Sequence, residues 1–91
     1  MSENEKSPDN DALDAAILAA TSAKGLRSSV SPSEVAIALA GENAGWQALL
    51  PKLRARAVAL MGEGKIEILR KGKPVADAGD VRGVIRFRAA P

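Results

Sequence analysis

Residues 46–71 read WQALLPKLRARAVALMGEGKIEILRK and pass from one hydrophobic period to another. Up to residue 61 the apolar positions recur every three or four residues, which predicts an amphipathic helix over 47–62. Gly62-Glu63-Gly64 ends that helix. Ile66 and Ile68 then alternate with polar neighbours, which predicts a half-buried strand over 65–71. A strand directly after this helix excludes a three-helix domain that ends at its third helix.

Pro51 conflicts with the helical pattern, because a proline inside a helix loses a hydrogen bond and clashes with the preceding turn. We expect the regular helix to start near Gln47, so that Pro51 falls within or just after the first turn, where few amide groups need partners. A kink at Pro51 is the alternative.

Two further helices are predicted before this stretch. Apolar residues at helical spacing predict the first over 10–24, and Gly25 ends it. The second begins at Pro32, because Ser31-Pro32-Ser33-Glu34 combines a capping serine, a proline in the first turn and a glutamate that can return to the cap amide. Ala40-Gly41 ends this second helix. Between the two, residues 28–30 are long enough only for a short extended segment.

A second strand is predicted over 83–89, where Ile85 and Phe87 point to one side and Arg86 and Arg88 to the other. The loop over 72–82 is rich in glycine, proline and aspartate, and loops of this length are often functional. The predicted fold class is α+β. The order of elements is that of a winged helix-turn-helix, three helices with a small antiparallel β-sheet (the wing) at the C-terminal end.

Composition excludes much catalytic chemistry. A chain of 91 residues, of which 46% are hydrophobic and 26% charged, suits one soluble domain. The absence of cysteine and histidine excludes zinc fingers, thiolate nucleophiles and imidazole catalysis. The segment Gly62-Glu63-Gly64-Lys65 lacks the first glycine and the Ser or Thr of a phosphate-binding loop. We therefore expect no enzyme, no cofactor and no metal.

The charge is divided unevenly along the chain. Residues 1–14 carry five acidic residues and one lysine (net −4), whereas residues 15–91 carry 12 lysines and arginines and six acidic residues (net +6). Residues 1–9 are predicted to be a disordered acidic tail, and residues 10–91 the folded domain. The polar N-terminus resembles no signal peptide and the longest apolar run is too short for a membrane span, so a cytoplasmic protein without membrane contact is expected.

The chain resembles a small bacterial family, family 3253 of the domains of unknown function. The residues that carry the resemblance are Ser31-Pro32-Ser33-Glu34-Val35-Ala36, Trp46 with Leu49 to Pro51, Gly64-Lys65-Ile66-Glu67, Lys71-Gly72-Lys73-Pro74-Val75, and Arg82-Gly83 with Ile85-Arg86. The resemblance covers nearly everything from the first helix to Ala89. It implies a winged-helix-like fold and no particular activity.

The exposed face of the third helix is small and basic. Lys52 and Arg56 lie one turn apart, where they can meet base edges or phosphates, and alanines around them permit close approach. Alanine is also the best helix former, so the same pattern fits an ordinary solvated face. Arg54, on the flank of this helix, and Arg27, before the second helix, are weaker candidates for backbone contacts.

The wing supplies a second basic cluster of four residues: Arg70, Lys71, Lys73 and Arg82. They are predicted to contact phosphates, although cations on a strand edge also prevent edge-to-edge aggregation. Arg86 and Arg88 are expected to pair with Glu67 across the sheet. Trp46 lies on the apolar stripe and is expected to anchor the core, not to stack on bases.

The leading hypothesis is a small domain that binds double-stranded DNA through the helix over 47–62 and the basic wing over 70–82. The alternative is a protein-protein interaction or assembly module that uses the alanine-rich face of the third helix. Charge alone does not separate DNA from structured RNA, and no dimerisation helix is encoded. A further hypothesis has the acidic tail fold over the basic face and compete with an anionic partner.

Overall fold

The computed structural model describes residues 9–43 and 45–91. Three helices precede a small antiparallel sheet: α1 (Asn10–Lys24), α2 (Pro32–Ala40), α3 (Leu50–Gly62), β1 (Ile66–Arg70), β2 (Lys73–Pro74) and β3 (Ile85–Ala89). The α+β fold class predicted from the sequence is confirmed. Residues 1–8 of the predicted acidic tail lie outside the described residues. No helix in the described ranges is long and apolar enough to cross a membrane.

The bounds of α1 and α2 agree with the prediction because both helices carry strong local signals. Asp9, the last residue of the predicted tail, is the N-cap of α1, where its side chain accepts a hydrogen bond from the Ala12 amide at 2.9 Å. Ser31 and Glu34 form the predicted capping box of α2. Each cap satisfies amide groups that the first helical turn leaves without partners.

The third helix starts later than predicted. Residues Trp46–Leu49 form a 3-10 turn, and the regular helix begins at Leu50 instead of near Gln47. Pro51 is the physical reason, because its ring would clash with the carbonyl four residues earlier if an α-helix ran from Gln47. Pro51 therefore lies in the first turn of α3, where its missing N–H removes no helical hydrogen bond.

The sheet has the strand order β2-β1-β3, all antiparallel. On the far side of β3, Val30 and Phe87 exchange backbone hydrogen bonds of 2.9 and 2.8 Å, which places the short extended segment before α2 at the sheet edge. The sequence pattern does not predict strand β2. This strand pairs Lys73 with Arg70 across the two-residue turn Lys71-Gly72, so that part of the predicted loop is a tight hairpin.

The core lies between the helices and the inner face of the sheet. The predicted inward residues of both strands, Ile66, Ile68, Ile85 and Phe87, are buried, as are the main apolar positions of α3. Trp46 is half-buried and packs against this core, in agreement with its predicted role as an anchor. This packing fixes the position of α3 relative to the β1-β2 hairpin. These two elements carry most of the predicted site residues.

Candidate nucleic-acid interface

The turn between β1 and β2 concentrates three cations. We call residues 70–73 the wing turn. Arg70 and Lys73 are Cα partners across it, and like charges directly opposite each other destabilise a hairpin. Lys71 has φ 56° and Gly72 has φ 80°, as the type I′ turn of a two-residue hairpin requires. The left-handed conformation is unfavourable for lysine. Both the repulsion between Arg70 and Lys73 and the backbone conformation of Lys71 therefore destabilise the turn.

The cations of the wing have no acidic neighbour within ion-pair distance in the described parts of the chain. The ion pairs found there, within 4.0 Å, involve Arg56, Lys65, Arg86 and Arg88 instead. Asp77, the nearest acid in the loop sequence, accepts a hydrogen bond from the Gly79 amide and caps a short 3-10 turn at Ala78–Asp80. Lys71, Lys73 and Arg82 are exposed, and Arg70 is half-buried.

The loop that returns to β3 brings Arg82 to the same end of the sheet as the wing turn. Arg70 pairs with Ile85 at the start of β3, only three residues after Arg82. Arg54 of α3 donates a hydrogen bond from Nη2 to the Gly83 carbonyl oxygen at 3.3 Å. Arg54 therefore positions the segment that carries Arg82. The sequence places Arg54 on the flank of the helix but does not indicate this contact, which joins residues 29 positions apart.

The two cations predicted on the third helix have different environments. Lys52 is exposed and forms no ion pair with the residues that the structure describes. Arg56 is half-buried against α1, where its Nε and Nη2 donate to the two carboxylate oxygens of Asp14 at 2.8 and 2.9 Å. Its guanidinium is thus already engaged, and Lys52 is the cation that the exposed face of α3 offers to a ligand.

The Asp14–Arg56 ion pair makes the free energy of unfolding depend on pH. The hydrogen bond from Arg56 holds the pKa of Asp14 below its ordinary value and outweighs the opposing effect of burial. A lowered pKa in the folded state contributes stability above the unfolded pKa, and this contribution is lost as pH falls through the folded pKa. We expect Asp14→Asn to lower the free energy of unfolding at pH 7. The deficit should begin to shrink below about pH 4, the ordinary pKa of an aspartate in the unfolded chain, and should vanish once pH is below the lowered folded pKa of Asp14.

Urea unfolding at a series of pH values from 7 downward measures this deficit. Asp11→Asn is the matched control, because Asp11 lies in the first turn of the same helix and forms no ion pair with a described residue. A deficit of Asp14→Asn that stays constant from pH 7 to well below pH 4 would contradict the assigned pair.

The other sheet arginines serve structural contacts. Arg88 donates to Glu67, as predicted, with 2.9 Å between Nε and the Glu67 Oε1. The predicted pairing of Arg86 with Glu67 is wrong, because the register places Leu69 opposite Arg86. Arg86 instead donates to the side chain and carbonyl of Ser29 at 2.7 and 3.0 Å, and lies 3.8 Å from Glu34.

Comparison with known proteins adds a family and no activity. The family model described as "Protein of unknown function (DUF3253)" matches residues 10–90. The match spans all three helices and all three strands. None of the curated proteins compared with the chain matches it. Within residues 9–43 and 45–91, no cluster of three or more acidic side chains is arranged to hold a metal ion.

Proposed function

The chain belongs to the DUF3253 family, whose description assigns no activity, and we propose from its surface that it binds double-stranded DNA. The wing turn is the observation that carries this proposal. Three cations share one tight hairpin without a described acidic partner, in a conformation that costs stability. Phosphates would offset that cost, because each lysine or arginine that contacts duplex DNA releases a condensed counterion.

The remaining predicted cations extend the same surface. Arg82 lies in the loop that returns to β3, and Lys52 lies on the exposed face of α3. In a winged helix-turn-helix the third helix enters the major groove while the wing contacts the neighbouring backbone. Lys52 is therefore assigned to the groove, and Arg70, Lys71, Lys73 and Arg82 to phosphates. The domain acts by binding, and no catalytic step is part of the proposal.

Arg56 changes the expected balance between affinity and sequence preference. Its donors Nε and Nη2 are used by Asp14, so they are not free to read guanine. Phosphate contacts then supply most of the binding free energy, and these contacts carry no sequence information. We accordingly propose a domain that binds duplexes of different sequence with similar affinity.

Fluorescence anisotropy with a random 20-base-pair DNA duplex at two salt concentrations tests the proposal. Micromolar binding that weakens steeply as salt rises supports it. Absence of binding at low salt would refute it. A structured RNA hairpin of equal charge is titrated in parallel. If the domain bound this RNA clearly more tightly than the duplex, RNA and not DNA would be its ligand.

Replacing Lys71 tests separately how the wing turn affects the free energy of unfolding and how it affects DNA binding. Asparagine tolerates the left-handed conformation, so Lys71→Asn should keep the turn and raise the free energy of unfolding by up to about 1 kcal/mol. The same change removes one phosphate contact and should make the slope of log K against log salt concentration less negative by about 0.9. Chemical denaturation and anisotropy on the same preparation measure both effects.

The control for this variant is Lys24→Asn, because Lys24 is an exposed lysine at the end of α1 with the same charge. It should leave the salt dependence almost unchanged. If Lys71→Asn and Lys24→Asn weakened binding equally, net charge and not the wing turn would account for DNA binding.

A further inference from the structure

A cleft of about 230 Å³ lies between the start of α2 and the start of β3. Its apolar lining includes Pro32, Leu50 and Ile85, and Arg54 and Arg86 line it as well. None of the cations that the DNA proposal assigns to phosphates or to the groove lines this cleft. Any ligand held there is therefore additional to the proposed DNA surface.

Val84 gives the cleft an unusual apolar edge. Its side chain is 88% exposed, more than the 54% of Leu26, the other large hydrophobic residue exposed in the described ranges. Ile85 and Phe87 point into the core, so residues 84, 86 and 88 form the outward row of this segment. Arginine occupies the other two positions of the row. Together with Pro32, Leu50 and Ile85, Val84 forms one apolar surface in the cleft, and such a surface is available to a partner.

The two arginines of the cleft keep donors available for a carboxylate. Arg54 uses Nη2 for the Gly83 carbonyl, and no carboxylate of the described residues lies within 4.0 Å of it. Arg86 uses Nε and Nη2 for Ser29, and its distance of 3.8 Å from Glu34 is too long for a hydrogen bond. Both guanidinium groups are thus held by the fold, while the charge around the cleft remains positive.

We propose that this cleft binds a peptide segment of a partner protein in which an aliphatic side chain lies next to an aspartate or glutamate. The apolar lining and Val84 would receive the aliphatic side chain, and Arg54 and Arg86 would bind the adjacent carboxylate. The volume favours a peptide over a small metabolite. Small-molecule sites usually measure about 300–1,000 Å³, whereas one or two side chains of a longer segment fit a smaller cleft.

Selection from a random heptapeptide phage library against the immobilised full chain tests this proposal. Enriched peptides should share an aliphatic residue next to an acidic one. Their synthetic copies should shift the backbone amide resonances of Ser33 and residues 83–86 in NMR spectra. Failure to enrich any peptide, or shifts confined to the wing turn, would overturn the proposal.

Two variants and two matched controls locate the binding. Val84→Ser and Arg54→Gln should each weaken the selected peptides by at least about fivefold, the usual loss at an interface anchor. Leu26→Ser and Arg27→Gln remove an exposed apolar and an exposed cationic side chain outside the cleft and should change affinity less than about twofold. Equal losses in variants and controls would overturn the assignment.

Inorganic phosphate and the 20-base-pair duplex distinguish other ligands of the cleft. Phosphate alone should not displace the selected peptides, and complete displacement would show a simple anion site. Val84→Ser should leave the affinity for the duplex unchanged, because Val84 has no charge to contribute to phosphates. If Val84→Ser weakened peptide binding and duplex binding together, the cleft would be part of the DNA-binding surface, and the proposal of a separate peptide site would be wrong.

Discussion

The Phe87→Ala variant is expected to lose about 3–5 kcal/mol of its free energy of unfolding, the usual cost of deleting a fully buried aromatic ring. Phe87 is 0% exposed and is the largest fully buried side chain among the described residues. It lies in β3, between β1 and the extended segment that precedes α2. Removing the ring therefore leaves a cavity where the sheet meets the helices.

This loss is a large share of the roughly 5–15 kcal/mol that ordinarily stabilises a domain. Thermal and urea unfolding measure it, and the melting temperature should fall by more than about 12 °C. Val84→Ala, three residues earlier on the outward row, is the control and should stay within about 0.5 kcal/mol of the wild type. Similar losses in the two variants would contradict the assigned position of Phe87 in the core.

The parts of the fold that the sequence predicts are those with local causes. The capping box at Ser31 and Glu34 and the glycine after α1 depend on residues within one turn of each other. The alternation in β1 and β3 depends on which side of a strand faces the core, and the buried residues follow it apart from Leu69, which is buried beside Ile68 in β1. In each case the interaction lies within a few residues, so the pattern in the sequence contains its cause.

The differences arise where distant residues meet or where two local rules compete. Arg56 and Asp14 are 42 positions apart, and only the packing of α3 on α1 brings them together. The strand register places Arg88 opposite Glu67 and Arg86 opposite Leu69, so Arg86 cannot pair with Glu67. This register depends on the whole sheet and not on the local pattern. The tight turn at Lys71-Gly72 lacks the Asn-Gly or Asp-Gly pair that usually indicates such a hairpin, so the sequence predicts a loop where the structure has β2.

The same distinction applies to the candidate site. Five of the six predicted cations have no ion-pair partner in the part of the chain that the structure describes: Lys52, Arg70, Lys71, Lys73 and Arg82. Four of the five are exposed and Arg70 is half-buried, and these positions follow from local patterns that the sequence contains. The engagement of Arg56 and the positioning contact of Arg54 with Gly83 are tertiary, and they shift the proposed binding from base contacts to phosphates.

Replacing Arg70, Lys71 and Lys73 together by glutamine is expected to have the largest effect on DNA binding. If each cation contacts one phosphate, the slope of log K against log salt concentration should become less negative by about 2.7, and affinity near 0.1 M salt should fall on the order of 100-fold. The variant should not lose stability, because it removes the like-charged pair across the hairpin and retains Gly72. Anisotropy and chemical denaturation measure the two quantities.

The matched control combines Lys24→Glu with Lys65→Gln, which lowers the net charge by the same amount on exposed residues outside the wing turn and outside the predicted DNA contacts. Long-range attraction between the domain and the duplex depends on total charge and should fall equally in both variants. Counterion release requires contact between a cation and a phosphate. Only in the wing variant, therefore, should the slope of log K against log salt concentration become less negative by about 2.7. Equal slopes in the two variants would show that the duplex responds to the net charge of the domain, and the wing turn would then have no specific role in binding.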